Sequence, residues 1–139
     1  MAKKEPRLSV NHCIMCDDVR REVTHKLILI GVYTGGIQVQ EFPARLNLAC
    51  WLDVSAKGTG KVPMQFRFVR QPDGQEFQLA EGDIEIVNAE DFTNFTVAPA
   101  AAQMNEPGTL QLQMKQHDED WETVREISIN RLQTAQGQG

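Results

Sequence analysis

The chain has 139 residues and a formal net charge of −5, with 41% hydrophobic and 24% charged residues, a composition typical of one globular domain. Its longest nearly unbroken apolar run, at residues 27–33, is far too short to cross a bilayer, and no apolar secretory core follows the charged N-terminus. The basic residues are scattered and the three cysteines cannot all pair with one another, so we expect a cytoplasmic protein that binds neither nucleic acid nor membranes.

The first third of the chain predicts three strands. Residues 8–16 form the first, and residues 26–33 form the second. This second segment is apolar on both faces, so we expect a central strand that is covered on both sides. Residues 17–25 between them are a polar connector with space for one helical turn. Gly35 and Gly36 then turn the chain into a short strand at residues 37–39.

Strict alternation of apolar residues is clearest at residues 45–54 and 62–69, and it predicts half-buried strands. In the first of them the apolar face consists of Leu46, Leu48, Cys50, Leu52 and Val54. Trp51 falls on the opposite face. Either this second face is also covered, which we favour, or Trp51 marks an exposed interface.

Turn residues divide the second half of the chain. Pro72, Asp73 and Gly74 predict a hairpin between residues 62–70 and 75–79. Residues 84–86 and 110–115 are further strands, and the last strand covers residues 121–130, where a change of phase predicts a β-bulge near Val124 and Arg125. The alanine-rich residues 98–102 predict a short helix or an irregular crossover.

About eight short strands with turns between them predict an all-β protein, a two-sheet antiparallel sandwich of the immunoglobulin-like or C2-like kind. A small closed barrel is the second choice. We expect one domain over residues 1–132 and a disordered tail over residues 133–139, because the tail has no side chain to bury.

Two clusters are typical of metal or thiol chemistry. His12, Cys13, Cys16 and His25 suggest a zinc or redox site. Residues three apart in a strand point to opposite faces, however, so we favour buried structural cysteines. A metal-binding or thiol-dependent protein is the alternative.

The second cluster is acidic. Asp17, Asp18 and Glu22 suggest a calcium site, but calcium takes oxygens from several segments. We favour an aspartate that caps the turn, with Arg20 or Arg21 as its ion-pair partner. We therefore predict no catalytic residue, no cofactor and no metal ligand.

Three short segments stand out as a set: Cys16-Asp17-Asp18, then Lys-Leu-Ile-Leu-Ile-Gly at residues 26–31, then Phe42-Pro43-Ala44. With Pro72-Asp73-Gly74 and Pro107-Gly108 they resemble an uncharacterised family of small bacterial proteins over most of the chain. The resemblance implies a bacterial or phage origin and a β-sandwich, and it implies no activity.

Strands and turns account for nearly every patterned residue. We therefore expect a non-catalytic module that binds another protein or itself through sheet edges and loops, with Trp51 as an interface candidate. A structural component of a phage particle is a further alternative.

Overall fold

The computed structural model describes residues 5–133, and these residues form ten β-strands. The strands are β1 (Arg7–Cys16), β2 (Asp18–Arg21), β3 (Leu27–Ile30), β4 (Ile37–Val39), β5 (Ala44–Lys57), β6 (Gly60–Gln71), β7 (Glu76–Ile86), β8 (Asn94–Met104), β9 (Gly108–Gln116) and β10 (Glu122–Arg131). The described part of the chain has no helix, and hence none that could cross a membrane. The prediction of an all-β protein is confirmed. The predicted disordered tail lies outside the described residues except for Gln133.

Eight of these strands form two sheets that face each other. The larger sheet has the order β4-β10-β9-β6-β7, the smaller has the order β1-β5-β8, and β2 and β3 form a separate hairpin. Neighbouring strands are antiparallel except for β4, which pairs with β10 in parallel. The predicted two-sheet sandwich agrees with this arrangement, and the larger sheet curls like half of a barrel.

The core lies between the two sheets and follows the predicted alternation. All five apolar residues of the predicted β5 face are buried, and so are the four residues in phase on β6, namely Val62, Met64, Phe66 and Phe68. Burial of each side chain removes apolar surface from water, which stabilises the fold by about 25 cal/mol per Å² of buried apolar area. This burial therefore provides the main driving force that holds the sheets together.

The predicted hairpin and bulge are both confirmed. Gly74 adopts a φ of 77° in the turn that follows β6, and Val69 pairs with Glu76 across the hairpin. The register between β9 and β10 shifts between Thr123 and Arg125, which leaves Val124 as the extra residue. The bulge explains why Trp121, which directly precedes β10, is out of phase with the apolar residues of that strand.

The prediction of a central strand at residues 26–33 is wrong. β3 has only four residues and pairs only with β2, so residues 17–25 contain a strand rather than a connector with a helical turn. Ile28 and Ile30 are 45% and 43% exposed. An apolar run is typical of a doubly covered strand, but here one face of the run stays in contact with solvent.

The prediction of a helix or crossover at residues 98–102 is also wrong, because these residues belong to β8. β8 pairs with β5 in a register that places Val97 opposite Cys50 and Ala100 opposite Leu48. Two residues, Ala98 and Pro99, therefore stand opposite one residue of β5. Proline lacks an N–H group and fits such a bulge on an edge strand, so pairing overrides the helical propensity of the alanines.

Side chains close one side of the sandwich, where β1 meets β9 and β10. The buried Gln116 amide accepts a hydrogen bond from Leu8 N at 3.0 Å and donates one to Leu8 O at 2.9 Å. Arg125 donates to Cys13 O at 3.0 Å. These bonds satisfy backbone groups of the edge strand β1, which has no second strand neighbour among the described residues.

Candidate binding groove

The opposite side of the sandwich is not closed by strand pairing among the described residues, although β7 and β8 contact each other there. β7 and β8 are the edge strands of the two sheets there, and a groove of about 510 Å³ lies between them. Its apolar lining includes Phe66, Ile84, Phe92, Phe95 and Val97. Pockets of this size and character suit apolar side chains of a ligand or partner.

Three phenylalanines form the apolar wall of the groove. The Phe95 ring lies 5.6 Å from the Phe66 ring and 6.2 Å from the Phe92 ring, with tilted planes in both pairs. Tilted aromatic pairs at these separations are favourable. Phe66 is buried whereas Phe92 and Phe95 are partly exposed, so the core extends without a break into the groove.

Both walls of the groove also offer unpaired backbone. In the described sheets β7 pairs only with β6, and β8 pairs only with β5. Edge strands present N–H and C=O groups that can pair with a further strand. On β7 the edge is opened further at Gly82, since a Cβ atom there would meet no other atom within 4 Å.

The rim of the groove is acidic. Glu81, Asp83 and Glu85 line it on β7, and all three are exposed. Residues 76–98 contain six acidic residues and no lysine, arginine or histidine. Lys61 of β6 is the cross-strand partner of Glu85, and Arg67 pairs with Glu76, so the unbalanced negative charge is at Glu81 and Asp83, where the rim favours a cationic partner at close range.

The structure separates the residues of the first sequence cluster. Cys13 lies in the core between the sheets, whereas Cys16 is fully buried on the other face of β1. His12 is exposed and lies 3.1 Å from a carboxylate oxygen of Asp53, and His25 is exposed in the β2–β3 turn. Within residues 5–133, no three His, Cys, Asp or Glu side chains are grouped closely enough to hold a metal ion.

The pKa values of the three thiols depend on burial and on the hydrogen bonds that the thiols make. The hydrogen bond from Cys50 lowers the pKa of the Cys13 thiol, and the same bond together with burial raises the pKa of Cys50 well above its ordinary value. Burial also raises the pKa of Cys16, which donates to Asp18 O at 3.4 Å. All three cysteines are buried and reduced, and inaccessible thiols are poor nucleophiles.

The two aspartates of the second cluster fix the base of the β2–β3 hairpin. Asp18 accepts hydrogen bonds from Val19 N and from the Arg20 guanidinium, both at 2.9 Å, and the guanidinium lowers the pKa of Asp18. Asp17 accepts a bond of 2.7 Å from the Tyr33 hydroxyl. The favoured role of an aspartate cap with an arginine partner is therefore present in the structure.

Trp51 is half-buried on the outer face of the smaller sheet, with Ile14 and Thr96 as its strand neighbours. Cys16 and Ala49 on the same face are fully buried. β2 contacts β5 and β8, so the hairpin covers part of this face. The indole Nε1 is buried and makes no hydrogen bond within residues 5–133. Its role as an interface candidate stays a prediction.

The groove itself was missed by sequence reasoning, although one signal for it exists. The interval from residue 71 to residue 114 contains no basic residue but eight acidic ones. Such a one-sided run is a sign of an electrostatic surface. It does not reveal that the run borders an apolar cleft, because Phe66 lies on β6, whereas Phe92 lies in the loop before β8 and Phe95 lies on β8.

Comparison with known proteins agrees with the resemblance seen in the sequence. A search of curated proteins finds no match to the chain. A comparison with protein families matches residues 11–130, which include nine of the ten strands in full or nearly so, to a family of unknown function, DUF6941. The chain therefore belongs to the DUF6941 family.

Proposed function

We propose that this protein is a non-catalytic binding module that takes up an extended polypeptide segment in the groove between β7 and β8. The observation that carries the proposal is the coincidence of three features at one place: two unpaired strand edges, an apolar aromatic wall and an acidic rim. An added strand would gain main-chain hydrogen bonds from an edge and specificity from side-chain pockets.

The chemistry of the groove defines the partner. Side chains alternate across a strand, so every second residue of the bound segment would face Phe92, Phe95 and Ile84. The residues between them would lie near Glu81, Asp83 and Glu85. The segment that fits best therefore alternates aliphatic and basic residues.

The contrast with the other side of the sandwich supports this choice of site. There Gln116 and Arg125 occupy three backbone groups of the edge strand β1, namely the N–H and C=O of Leu8 and the C=O of Cys13. Proteins commonly protect edge strands in this way against unwanted pairing. β7 carries charges on the rim and β8 has the bulge at Ala98 and Pro99, and the charges on β7 select the partner rather than exclude every one.

The test uses a synthetic peptide of about eight residues that alternates isoleucine and lysine, long enough to span the strand edge at about 3.3 Å per residue. Isothermal titration calorimetry should show saturable binding at low salt and weaker binding at high salt. A control peptide in which glutamate replaces each lysine should not bind. Equal binding of both peptides would contradict the proposed electrostatic selection.

Variants then locate the binding site. The triple variant Glu81→Lys, Asp83→Lys, Glu85→Lys should weaken binding of the isoleucine–lysine peptide at least about ten-fold, since each exposed ion pair contributes about 0.2–1 kcal/mol and the variant replaces attraction by repulsion. The matched control Glu41→Lys, Glu106→Lys, Asp118→Lys changes the net charge equally at exposed positions away from the groove. The same loss in both variants would overturn the assignment of the site.

A further inference from the structure

β3 and the turns on either side of it carry an unusual amount of exposed apolar surface. Val23 in the β2–β3 turn is 99% exposed, and Val32 after β3 is 44% exposed. With Ile28 and Ile30, they provide four of the six large apolar side chains that are exposed among the described residues. Exposed apolar groups that cluster on one element are typical of an interaction surface.

One edge of β3 has backbone groups without a strand partner. β3 pairs only with β2 among the described strands. Lys26 O and Ile30 O accept bonds of 2.7 Å and 2.8 Å from the backbone N–H groups that flank β2. Because the backbone groups of successive residues alternate in direction along a strand, those of Leu27 and Leu29 point to the free edge.

The free edge of β3 lacks the devices that protect the other sheet edges of the described fold. Gln116 and Arg125 cap β1, acidic side chains line β7, β8 has a bulge with Pro99, and β4 has only three residues. β3 has the sequence Leu-Ile-Leu-Ile, with no charge, no proline and no shift of register against β2. Natural proteins use such devices to prevent association through sheet edges, so an edge without them is suited to pairing.

The free edge is also accessible. β2 lies against β5 and β8, whereas β3 makes no comparable approach to either sheet of the sandwich, so β3 is the outer strand of the hairpin. The base of the hairpin is held in one orientation, because Tyr33 N donates to Met15 O at 3.0 Å and the Tyr33 hydroxyl donates to Asp17. Such preorganisation reduces the entropy that an element loses when it binds.

We propose that two copies of this chain associate through β3, which pairs with β3 of the second copy in antiparallel orientation about a two-fold axis at Leu29. In this register Leu29 exchanges both main-chain hydrogen bonds with Leu29 of the partner subunit. Ile28 lies opposite Ile30 of the partner subunit, on the same face of the joined sheet. The two hairpins then form one sheet of four strands in the order β2-β3-β3-β2. This inference is independent of the groove between β7 and β8.

The symmetry of the contact limits the size of the assembly. Each copy uses the same edge, so no free copy of that edge remains and association stops at a dimer. The contact is smaller than the interfaces of about 1,200 Å² or more that hold stable complexes together. The dimer is therefore weak and reversible, and its fraction rises with protein concentration.

Backbone and apolar contacts, rather than charge, drive this association. Residues 17–33 contain three acidic and three basic residues, so the two hairpins neither attract nor repel each other strongly. Each whole chain has a net charge of −5, and salt screens the long-range repulsion between the copies. The dimer should therefore persist or strengthen as the salt concentration rises, whereas binding of the isoleucine–lysine peptide in the groove should weaken.

Sedimentation velocity of the full chain, at protein concentrations up to about 0.5 mM, measures a contact of this size. The variants Ile28→Lys, Ile30→Lys and Ile28→Glu, Ile30→Glu each place like charges opposite one another in the dimer, so each alone should associate at least about ten-fold more weakly than the unaltered chain. An equal mixture of the two should restore the dimer, because lysine then faces glutamate. Circular dichroism checks that each variant keeps its strand content.

A third variant, Ile28→Glu, Ile30→Lys, tests the register. With the axis at Leu29 its glutamate faces the lysine of the partner subunit, so this variant should form a dimer by itself. A variant that stays monomeric would overturn the proposed axis.

Two controls should associate as well as the unaltered chain. The first is Val87→Glu, Leu132→Glu, which changes the two remaining exposed apolar side chains, and the second is the triple variant of the groove rim. A chain that is monomeric at every concentration, a mass that extends beyond two chains, or a lysine–glutamate mixture that stays monomeric would overturn the inference. Loss of association in the groove variant would also overturn it. Peptide binding is measured separately, so the proposed function is tested by its own result.

Discussion

Replacement of Gln116 by alanine tests how the closed side of the sandwich is held together. The Gln116 side chain is 4% exposed and bonds both backbone groups of Leu8, which is itself 2% exposed. Alanine leaves the N–H and the C=O of Leu8 buried without partners. An orphaned buried polar group costs about 1–3 kcal/mol, so two of them lower the free energy of unfolding by about 2–6 kcal/mol. The total free energy of unfolding of a domain of this size is about 5–15 kcal/mol.

Urea denaturation measures this loss, with circular dichroism and tryptophan fluorescence as separate probes at one protein concentration. Gln78→Ala is the matched control, since Gln78 is an exposed residue of the edge strand β7, and it should change the free energy of unfolding by less than about 0.5 kcal/mol. A loss below about 1 kcal/mol for Gln116→Ala, or one equal to that of the control, would refute the reasoning. Water would then satisfy Leu8 as well as the glutamine does.

Three further predictions concern the hairpin base and the thiols. Gly31→Ala should destabilise the fold by at least about 1–2 kcal/mol in the same denaturation assay, because φ is positive and the Asp17 carboxylate occupies the space; an unchanged midpoint would contradict this. Burial, and then the bond to Asp17, raise the pKa of Tyr33 to about 12. The ultraviolet absorbance of Tyr33, the sole tyrosine, should therefore titrate above the ordinary pH range of tyrosine, and a normal titration would refute this prediction. The stability associated with the raised pKa should be present below pH 10 and lost as the pH rises toward 12. The three buried cysteines should react with a thiol reagent only after denaturation, and rapid labelling of the folded chain would revive the thiol-dependent alternative.

Local patterns in the sequence determined most of the strands. The alternation of apolar and polar residues on β5 and β6 can be read from adjacent residues of the chain. The Pro72–Gly74 turn and the Val124 bulge are predicted from the same kind of local information. The two local errors have one cause. The apolar residues 26–33 and the alanines 98–102 have propensities that fit more than one structure, and their long-range partners decide between them.

The β2–β3 hairpin shows this dependence on partners most clearly. Two segments of the motif set, Cys16–Asp18 and Lys26–Gly31, lie in this hairpin, and the resemblance of the chain as a whole to a family of unknown function is confirmed by the match over residues 11–130. The motif set did not indicate that these residues form a separate two-stranded hairpin. Only the approach of Gly31 to Asp17 shows why a glycine stands there.

The sequence by itself determined the all-β class, the phase of the core strands and the burial of the cysteines, because each depends on the period of two along a strand. Tertiary structure alone decided which edges stay open and where the charges gather. Phe66 and Phe95 are far apart in the chain, and their rings meet only because two sheets pack face to face. The groove is a property of that packing, and no local pattern encodes it.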